Sequence, residues 1–517
     1  MSARLHPGVY VEEAPGGARS IEAAGTSTAI FVGESERGPT APTRVKSVGE
    51  FERLFGGHFH HTGLALAGTS RRVTLRYAMD AFFQNGGTSA YVLRALPNGA
   101  TTASRGQVVA SSPGAWAGNL GVVFGPSSDA DPMRFQLAVL YAPPGKATRS
   151  IVERWDRLSL SAADENYAPD VLRRSLYVRW DPAVVPAMPT ADVTAPVTET
   201  TILAFGSPAL TGGADGTPAL TAGTMGSILP RLDGVLDASL LVVPAPFDAA
   251  DGDSESLANA GLAYAEGRAK QDLFCIADLP RRQTSTSATD FVDDTLGAFG
   301  SISKTTFGAV YAPWVEVGDP AGAGRDPTIF LGPSSFLAGL YARTDQRRGV
   351  WKAPAGLDAS LLGARRPEFQ LIDAHQDELN PRGINALRVM PAGGHVAWGT
   401  RTLRPDSEWR YVPVRRTAIL IRTSIYNGIQ WAVFEPNDEP LWSALRVSVG
   451  AFMDQLFRQG AFAGRTSREA YFVKCDAETT PEADRAAGVV NVWVGFAPLR
   501  PAEFVVVKLS QIVNQKA

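Results

Sequence analysis

LNPRGINALRVMPAGGHVAWGTRTL (Leu379–Leu403), WRYVPVRRTAILIRTSIYNGIQWAVFEPNDEPLWSALRVSVGAFMDQLF (Trp409–Phe457) and PAEFVVVKLSQIV (Pro501–Val513) carry the most ordered residue pattern in the sequence. Together, Leu379 to Val513 reads as a compact α+β unit. Its clearest element is a helix, because Leu441, Leu445, Val449, Phe452 and Leu456 recur at intervals of four or three and line one face. Asn437 is placed to cap its start, Asp438 and Glu439 suit the positive end of the helix dipole, and Gly460 is placed to end it. Arg446 and Arg458 fall on the wetter side. WRYVPVRR is expected to be a strand. The final strand, Phe504 to Leu509, is a nearly unbroken apolar run that needs a partner.

Outward from this unit, residues 200–375 read as α/β. Apolar strands at 238–243, 273–277 and 307–312 alternate with helical stretches near 254–270, 289–301 and 334–343, which predicts a parallel sheet covered on both faces. The pattern begins earlier, in residues 21–100, with a strand at 29–33, helices near 48–55 and 73–84, and a strand at 90–95. Between these halves, residues 101–199 interleave strand-like pieces with Pro, Ser and Asp. They read as an inserted, mostly β, peripheral domain ending in a linker, TADVTAPVTETT. Residues 1–20 read as an arm in which Val9 and Val11 alternate with Tyr10 and Glu12, isolated by Pro7, Pro15, Gly16 and Gly17. The divisions are therefore 1–20, 21–100, 101–199, 200–375, 376–500 and a C-terminal arm at 501–517.

Composition sets the class. A chain of 517 residues, 44% hydrophobic and 20% charged, is an ordinary globular protein of several domains. A net charge of −3 with no run of like charges gives no footprint for nucleic acid. No span of about 18 apolar residues crosses a bilayer, and MSARLHPGVYVEE has no apolar leader, so cytoplasmic synthesis and assembly is expected. Cys275 and Cys475 each sit in an apolar run and read as buried free thiols of a reducing compartment.

GTSTA (Gly25–Ala29) copies the nucleophile motif of subtilisin-like proteases, yet Ser27 lies near the start of the chain and leads into a strand, not a helix. No histidine lies between His61 and His375, so residues 200–374 carry no base for a serine. His58, His60 and His61 cluster in GHFHHTG without a further ligand, and read as a polar loop, not a metal site. Asp293 and Asp294 read as solvated helix surface. No phosphate loop, H-E-x-x-H or C-x-x-C occurs, and GDPAGAG (Gly318–Gly324) lacks the strand-turn-helix of a dinucleotide site. No catalytic residue, metal or cofactor is expected.

In order, LNPRGINALR, WGTRTL, W-x-Y-V-x-V-R-R, FEPNDEPLW, AYFVKCD and PAEF resemble the C-terminal domain of contractile tail sheath proteins of phages and contractile injection systems. PGVYVEE, the T-x-x-A-x-F-V-G strand and V-x-S-x-x-E-F-x-x-x-F-G resemble that family's N-terminal region, and GGADGTPALT and RGVWKAPAG its central domain. The resemblance implies a subtilisin-like central α/β domain and a C-terminal α+β sheath domain. It further implies a structural role without catalysis, in hexameric rings stacked around an inner tube, with baseplate and terminal cap proteins as partners. It makes Val9, Tyr10 and Val11 one subunit-joining arm, and Phe504, Val505, Val506, Val507 and Leu509 the other. Phage tail, bacteriocin-like particle and cellular injection system remain open. So do two other classes: a non-sheath structural part of an injection machine, and a degenerate subtilisin-like hydrolase.

Overall fold

The structure is a computed structural model that describes residues 19–504 except 59, 67–68, 97, 144–145, 147, 201–207, 217–219, 248–250, 282–283 and 323. The chain divides into two compact units, one of Met1–Gly25, Gly349–Lys352 and Pro413–Ala517, the other of Thr26–Arg348 and Ala353–Val412.

The larger unit is built on an eight-stranded sheet. Its order is Gly394–Ala397, Ile384–Met390, Gly308–Ala312, Phe274–Asp278, Leu240–Val242, Ala29–Gly33, Ala90–Arg94 and Thr43–Val45. The six inner strands run parallel and the two edges antiparallel. AIFVG, FCIAD and GAVYA are buried at every position, as strands covered on both faces must be. The cover includes helices Thr74–Gln84, Asp251–Gly267 and Ser334–Arg348. The first and last of these approach closely where Gly339 meets the backbone of Phe82; a Cβ there would lie 2.4 Å from the Phe82 carbonyl oxygen. Phe82 in turn packs edge-on against Phe31, with ring centroids 5.2 Å apart.

Strand Ile384–Met390 pairs in parallel with Gly308–Ala312, in register Val310↔Ile384. The α/β sheet therefore extends past the boundary expected at 375/376, and the larger unit ends at Val412. Asn385 fixes this extension: its side chain donates to the Val310 and Arg401 carbonyls and accepts from the Arg401 N–H.

Residues 101–215 are mostly β. One antiparallel sheet holds Leu120–Pro126, Arg134–Tyr141 and Ser150–Ser159, and a second holds Ser104–Arg105, Val108–Ala110 and Val178–Trp180. This region shares a compact unit with the parallel sheet. Its ends meet where Thr101 and Ala214 exchange backbone hydrogen bonds, so the insertion closes near 214 and not at 199. The stretch expected to be a linker is packed in its described part. Asp192 takes both terminal nitrogens of Arg105, at 2.8 and 2.6 Å, and the Phe124 N–H. Val197 is buried with Val123, Ala138 and Leu140. A Pro/Thr-rich composition misled because two aliphatic residues and one carboxylate suffice to dock an extended segment.

In the smaller unit the helix is Glu439–Arg458, and all five residues of its expected apolar face are buried. Its cap is Asp438, whose side chain accepts from the Leu441 N–H, because Pro440 fits the first turn when the helix starts at Glu439. Asn437 instead accepts from the Trp442 indole at 2.9 Å and donates to the Val489 carbonyl. The WRYVPVRR segment is not a strand. Helix Val412–Gly428 starts inside it, because Pro413 is tolerated in a first helical turn and the V-x-V alternation is too short to fix a period. Leu420, Ile421, Val449, Phe452, Met453 and Leu456 form the core, joined by Ile21.

Candidate assembly interface

Strands Tyr471–Lys474 and Trp493–Phe496 form a two-stranded antiparallel sheet, in register Tyr471↔Phe496 and Lys474↔Trp493. Alternation sends Tyr471, Val473, Val494 and Phe496 onto the core under the Glu439–Arg458 helix. Phe472 and Trp493 face out, 57% and 55% exposed. The Phe472 ring lies across Gly495, where a Cβ would sit 2.2 Å from it. Among the described residues no third strand joins either edge. A pair this small is marginal alone and presents unpaired N–H and C=O groups. The strand Trp493–Phe496 was not foreseen, although the alternation in VVNVWVGF carries its signal.

Of the expected arm residues, Phe504 is described: it is outside any strand and 76% exposed. Val9, Tyr10, Val11, Val505, Val506, Val507 and Leu509 lie outside the described residues.

Sites that catalysis would use are otherwise occupied. At the carboxyl end of Phe274–Asp278, the fully buried Asp278 accepts from the Ser334 N–H and hydroxyl, at 2.8 and 2.7 Å, and from the Ala245 N–H. Burial pushes its carboxyl up to about 6. Gly332 packs so closely that a Cβ would lie 2.3 Å from the carboxylate, leaving no room for a substrate. Ser27 precedes strand Ala29–Gly33. His58 is bound to Asp80, with Nε2 to oxygen 2.9 Å. Burial alone would raise the Asp80 carboxyl, but its hydrogen bonds to His58 and Arg76 outweigh that and hold it low. His60 and His61 belong to strand His60–Leu66 and not to a loop. Among the described residues no group of His, Cys, Asp and Glu could hold a metal. Both cysteines are free and buried, and burial pushes both thiols up. No described helix is long and apolar enough to cross a membrane.

The phage tail sheath C-terminal domain family matches residues 404–512. A putative prophage major tail sheath protein of Pseudomonas aeruginosa (strain UCBPP-PA14) is 29% identical over 198 residues, covering 37% of this chain and 48% of that relative. Over the matched stretches this chain is similar to tail sheath proteins. The matched stretches span about half or less of the length of the curated relatives, with a tail sheath protein of Vibrio phage KVP40 matched over 23% of its length. The sheath fold extends over the whole chain. An extracellular contractile injection system (PVC) sheath complex in the contracted state superposes with TM-score 0.59 at 22% identity, covering 100% of both chains. The helical sheath of the anti-feeding prophage, also in the contracted state, gives 0.58 at 24%, covering 98% of this chain and 100% of that one.

Sequence reasoning also missed a buried ionic junction inside the larger unit. Arg37 points into a cage of Trp116, Tyr141 and Tyr177, with its guanidinium 5.0–5.8 Å from their ring centroids. It donates to Glu36 and to the Tyr141 hydroxyl, both at 3.2 Å, while that hydroxyl donates a very short bond to Glu36. Burial, with Glu36 beside it, pushes the Tyr141 phenol far up. Arg94, drawn down to about 10 by burial, binds the carbonyls of Ser35, Glu36, Gly38 and Pro113. The junction ties the loop after the first sheet strand to the β insertion.

Proposed function

We propose that this chain is the structural subunit of a contractile sheath, polymerising into stacked hexameric rings around an inner tube and contracting to drive that tube through a target envelope. The observation that carries the reading is the two-stranded sheet Tyr471–Lys474/Trp493–Phe496, whose edges end without a neighbour among the described residues of the family-matched domain. An open edge is an aggregation hazard unless it receives a strand. The apolar segments at Val9–Val11 and Phe504–Leu509 are the donors, supplied by neighbouring subunits. Donor and acceptor surfaces differ, so the contact is heterologous and propagates as rings and open helices.

Each arm forms about four to six main-chain hydrogen bonds worth roughly 0.5–1.5 kcal/mol apiece. Ordering costs of about 1–2 kcal/mol per residue make one arm marginal, and a lattice joining many subunits makes the sum sufficient. Contraction on this reading is a repacking of the globular units about tethering arms. The energy is stored at assembly, and no catalytic residue takes part. The parallel α/β unit is a subtilisin-like fold put to structural use: Asp278 and Ser334 serve each other. Baseplate and cap proteins bound the polymer, which is assembled in the cytoplasm and leaves with its particle.

Removing residues 1–14, or replacing Val506 with proline to delete a ladder donor, leaves a folded monomer that forms no tubes in negative stain. Ordered tubes from the truncated chain would refute the arm mechanism, and unfolding by circular dichroism would place the arms in the subunit's own core.

A further inference from the structure

Phe434 stands in water. Its side chain is fully exposed at 103%, and its backbone φ of +70° lies in the left-handed region that bulky residues avoid. Single exposed apolar residues are ordinary. A ring held out by an unfavourable backbone is not. The turn carrying it is fixed on both sides: Val433 N–H bonds the Gln430 carbonyl, Glu435 N–H bonds the Ala432 carbonyl, and Pro436 leads into the Asp438-capped helix. Val433 is also exposed, and among the described residues the adjacent Glu435 carboxylate has no cation partner.

A surface with the opposite features lies in the larger unit. A cavity of about 370 Å³ opens between the end of helix Ala288–Phe299, the Asn380–Arg382 turn and residues 403–406. Leu296 and Pro405 give it an apolar wall, backed by the buried Phe299 and Leu403, and Lys304, Arg382 and Arg404 give it a cationic rim. Asp406 is the one carboxylate among its described lining residues. Lys304 lies over the Phe299 ring, 3.1 Å from its centroid, and donates to the Phe299 carbonyl. Burial, and then the Arg382 guanidinium, push its ammonium down to about 8, so the rim crowds like charges. Arg382 and Arg404 have no carboxylate partner among the described residues.

We propose that Phe434 docks into this cavity on a second copy of the chain, its ring against Leu296 and Pro405 and the Glu435 carboxylate between Arg382 and Arg404. The match is one of both polarity and charge: an apolar knob beside an unpaired carboxylate meets an apolar hole rimmed by surplus cations. Knob and hole belong to different units of the chain, so the contact is heterologous, each copy offering one and accepting one. The assignment rests on the sheath reading and adds to it a contact that uses neither terminal arm.

The test is sedimentation and negative stain of the full-length chain. Phe434→Asn removes the knob while placing there a residue at ease in a left-handed backbone. It leaves the monomer's melting temperature unchanged or higher, and raises the concentration for half-assembly by roughly tenfold or more. Arg404→Glu does the same, and adding Glu435→Arg restores assembly to within a factor of about three. Normal assembly by F434N overturns the proposal. So does an Arg404→Glu defect that Glu435→Arg leaves uncorrected, because the cavity then takes some other acidic segment. If the wild type forms no tubes, the sheath reading fails on its own. The docking is then judged by bismaleimide crosslinking of copies carrying Phe434→Cys to copies carrying Arg404→Cys: crosslinked pairs support it, and their absence overturns it.

Discussion

Replacing Arg37 with methionine separates the roles of the buried junction. The arginine side chain is 5% exposed and the Glu36 side chain 1%, so the substitution leaves a carboxylate in the interior without its nearest cation. Breaking a buried pair from one side destabilises by about 3–5 kcal/mol. Glu36 keeps the Tyr141 hydroxyl and the Gly57 N–H, and Arg94 bonds the Glu36 carbonyl, which places the expected loss near the lower end, about 3 kcal/mol. Removing both charges in Glu36→Gln/Arg37→Met takes away the uncompensated carboxylate, so the double variant is more stable than Arg37→Met alone by about 1–2 kcal/mol. Urea unfolding of the soluble chain, followed by tryptophan fluorescence because Trp116 lines the cage, reads both quantities. A loss under about 1 kcal/mol for Arg37→Met, or strict additivity of the two changes, would refute the view that the pair works as a buried unit. The same geometry bears on the insertion. Cutting it out at its 101/214 neck strips Trp116, Tyr141 and Tyr177 from Arg37, so the excised protein is destabilised even though the neck itself is easily rejoined.

Three further outcomes follow from particular contacts. Burial pushes the Asp278 carboxyl up to about 6 from an ordinary 3.8, so the folded state binds more protons in between, and its contribution falls by roughly 3 kcal/mol as pH rises from about 4 to 6. Asp278→Asn removes that slope, which unfolding curves of the two proteins at pH 4.5 and 6.5 compare directly. Gly56→Ala puts a Cβ 2.1 Å from a Glu36 oxygen on a backbone at φ +93°, and lowers stability by about 2 kcal/mol or more in the same urea assay. Asp438→Ala removes the cap of the Glu439–Arg458 helix and costs about 1 kcal/mol.

What the sequence makes legible here follows from periodicity. Ala29–Gly33, Phe274–Asp278 and Gly308–Ala312 are apolar runs whose type, position and parallel pairing can be read because a strand buried on both faces tolerates nothing else. The Glu439–Arg458 helix is legible because five apolar residues keep one face over four turns. Legibility ends where partners distant in sequence decide. Val412–Gly428 begins with an alternation that suits a strand, and only its length and its packing through Leu420 and Ile421 select a helix. Ile384–Met390 is a strand in any reading, yet nothing local says that it joins Gly308–Ala312 and not the domain that follows it. The Arg37 junction joins residues up to 140 positions apart, Arg37 and Tyr177, and leaves no local pattern at all.

The assembly surface divides along the same line. The proposed donor segments are legible in the sequence, since Val9 and Val11 alternate in a stretch set off by Pro7 and Pro15 and Phe504–Leu509 is a nearly unbroken apolar run. The acceptor is visible only in three dimensions. Tyr471–Lys474 and Trp493–Phe496 become a sheet through a register set across 18 intervening residues, from 475 to 492, and what fits that sheet to the proposed acceptor role is the absence of a third strand among the described residues. An edge is a property of pairing, not of composition. Apolar runs can therefore be read from a sequence well before the open edge that the proposed reading pairs with them.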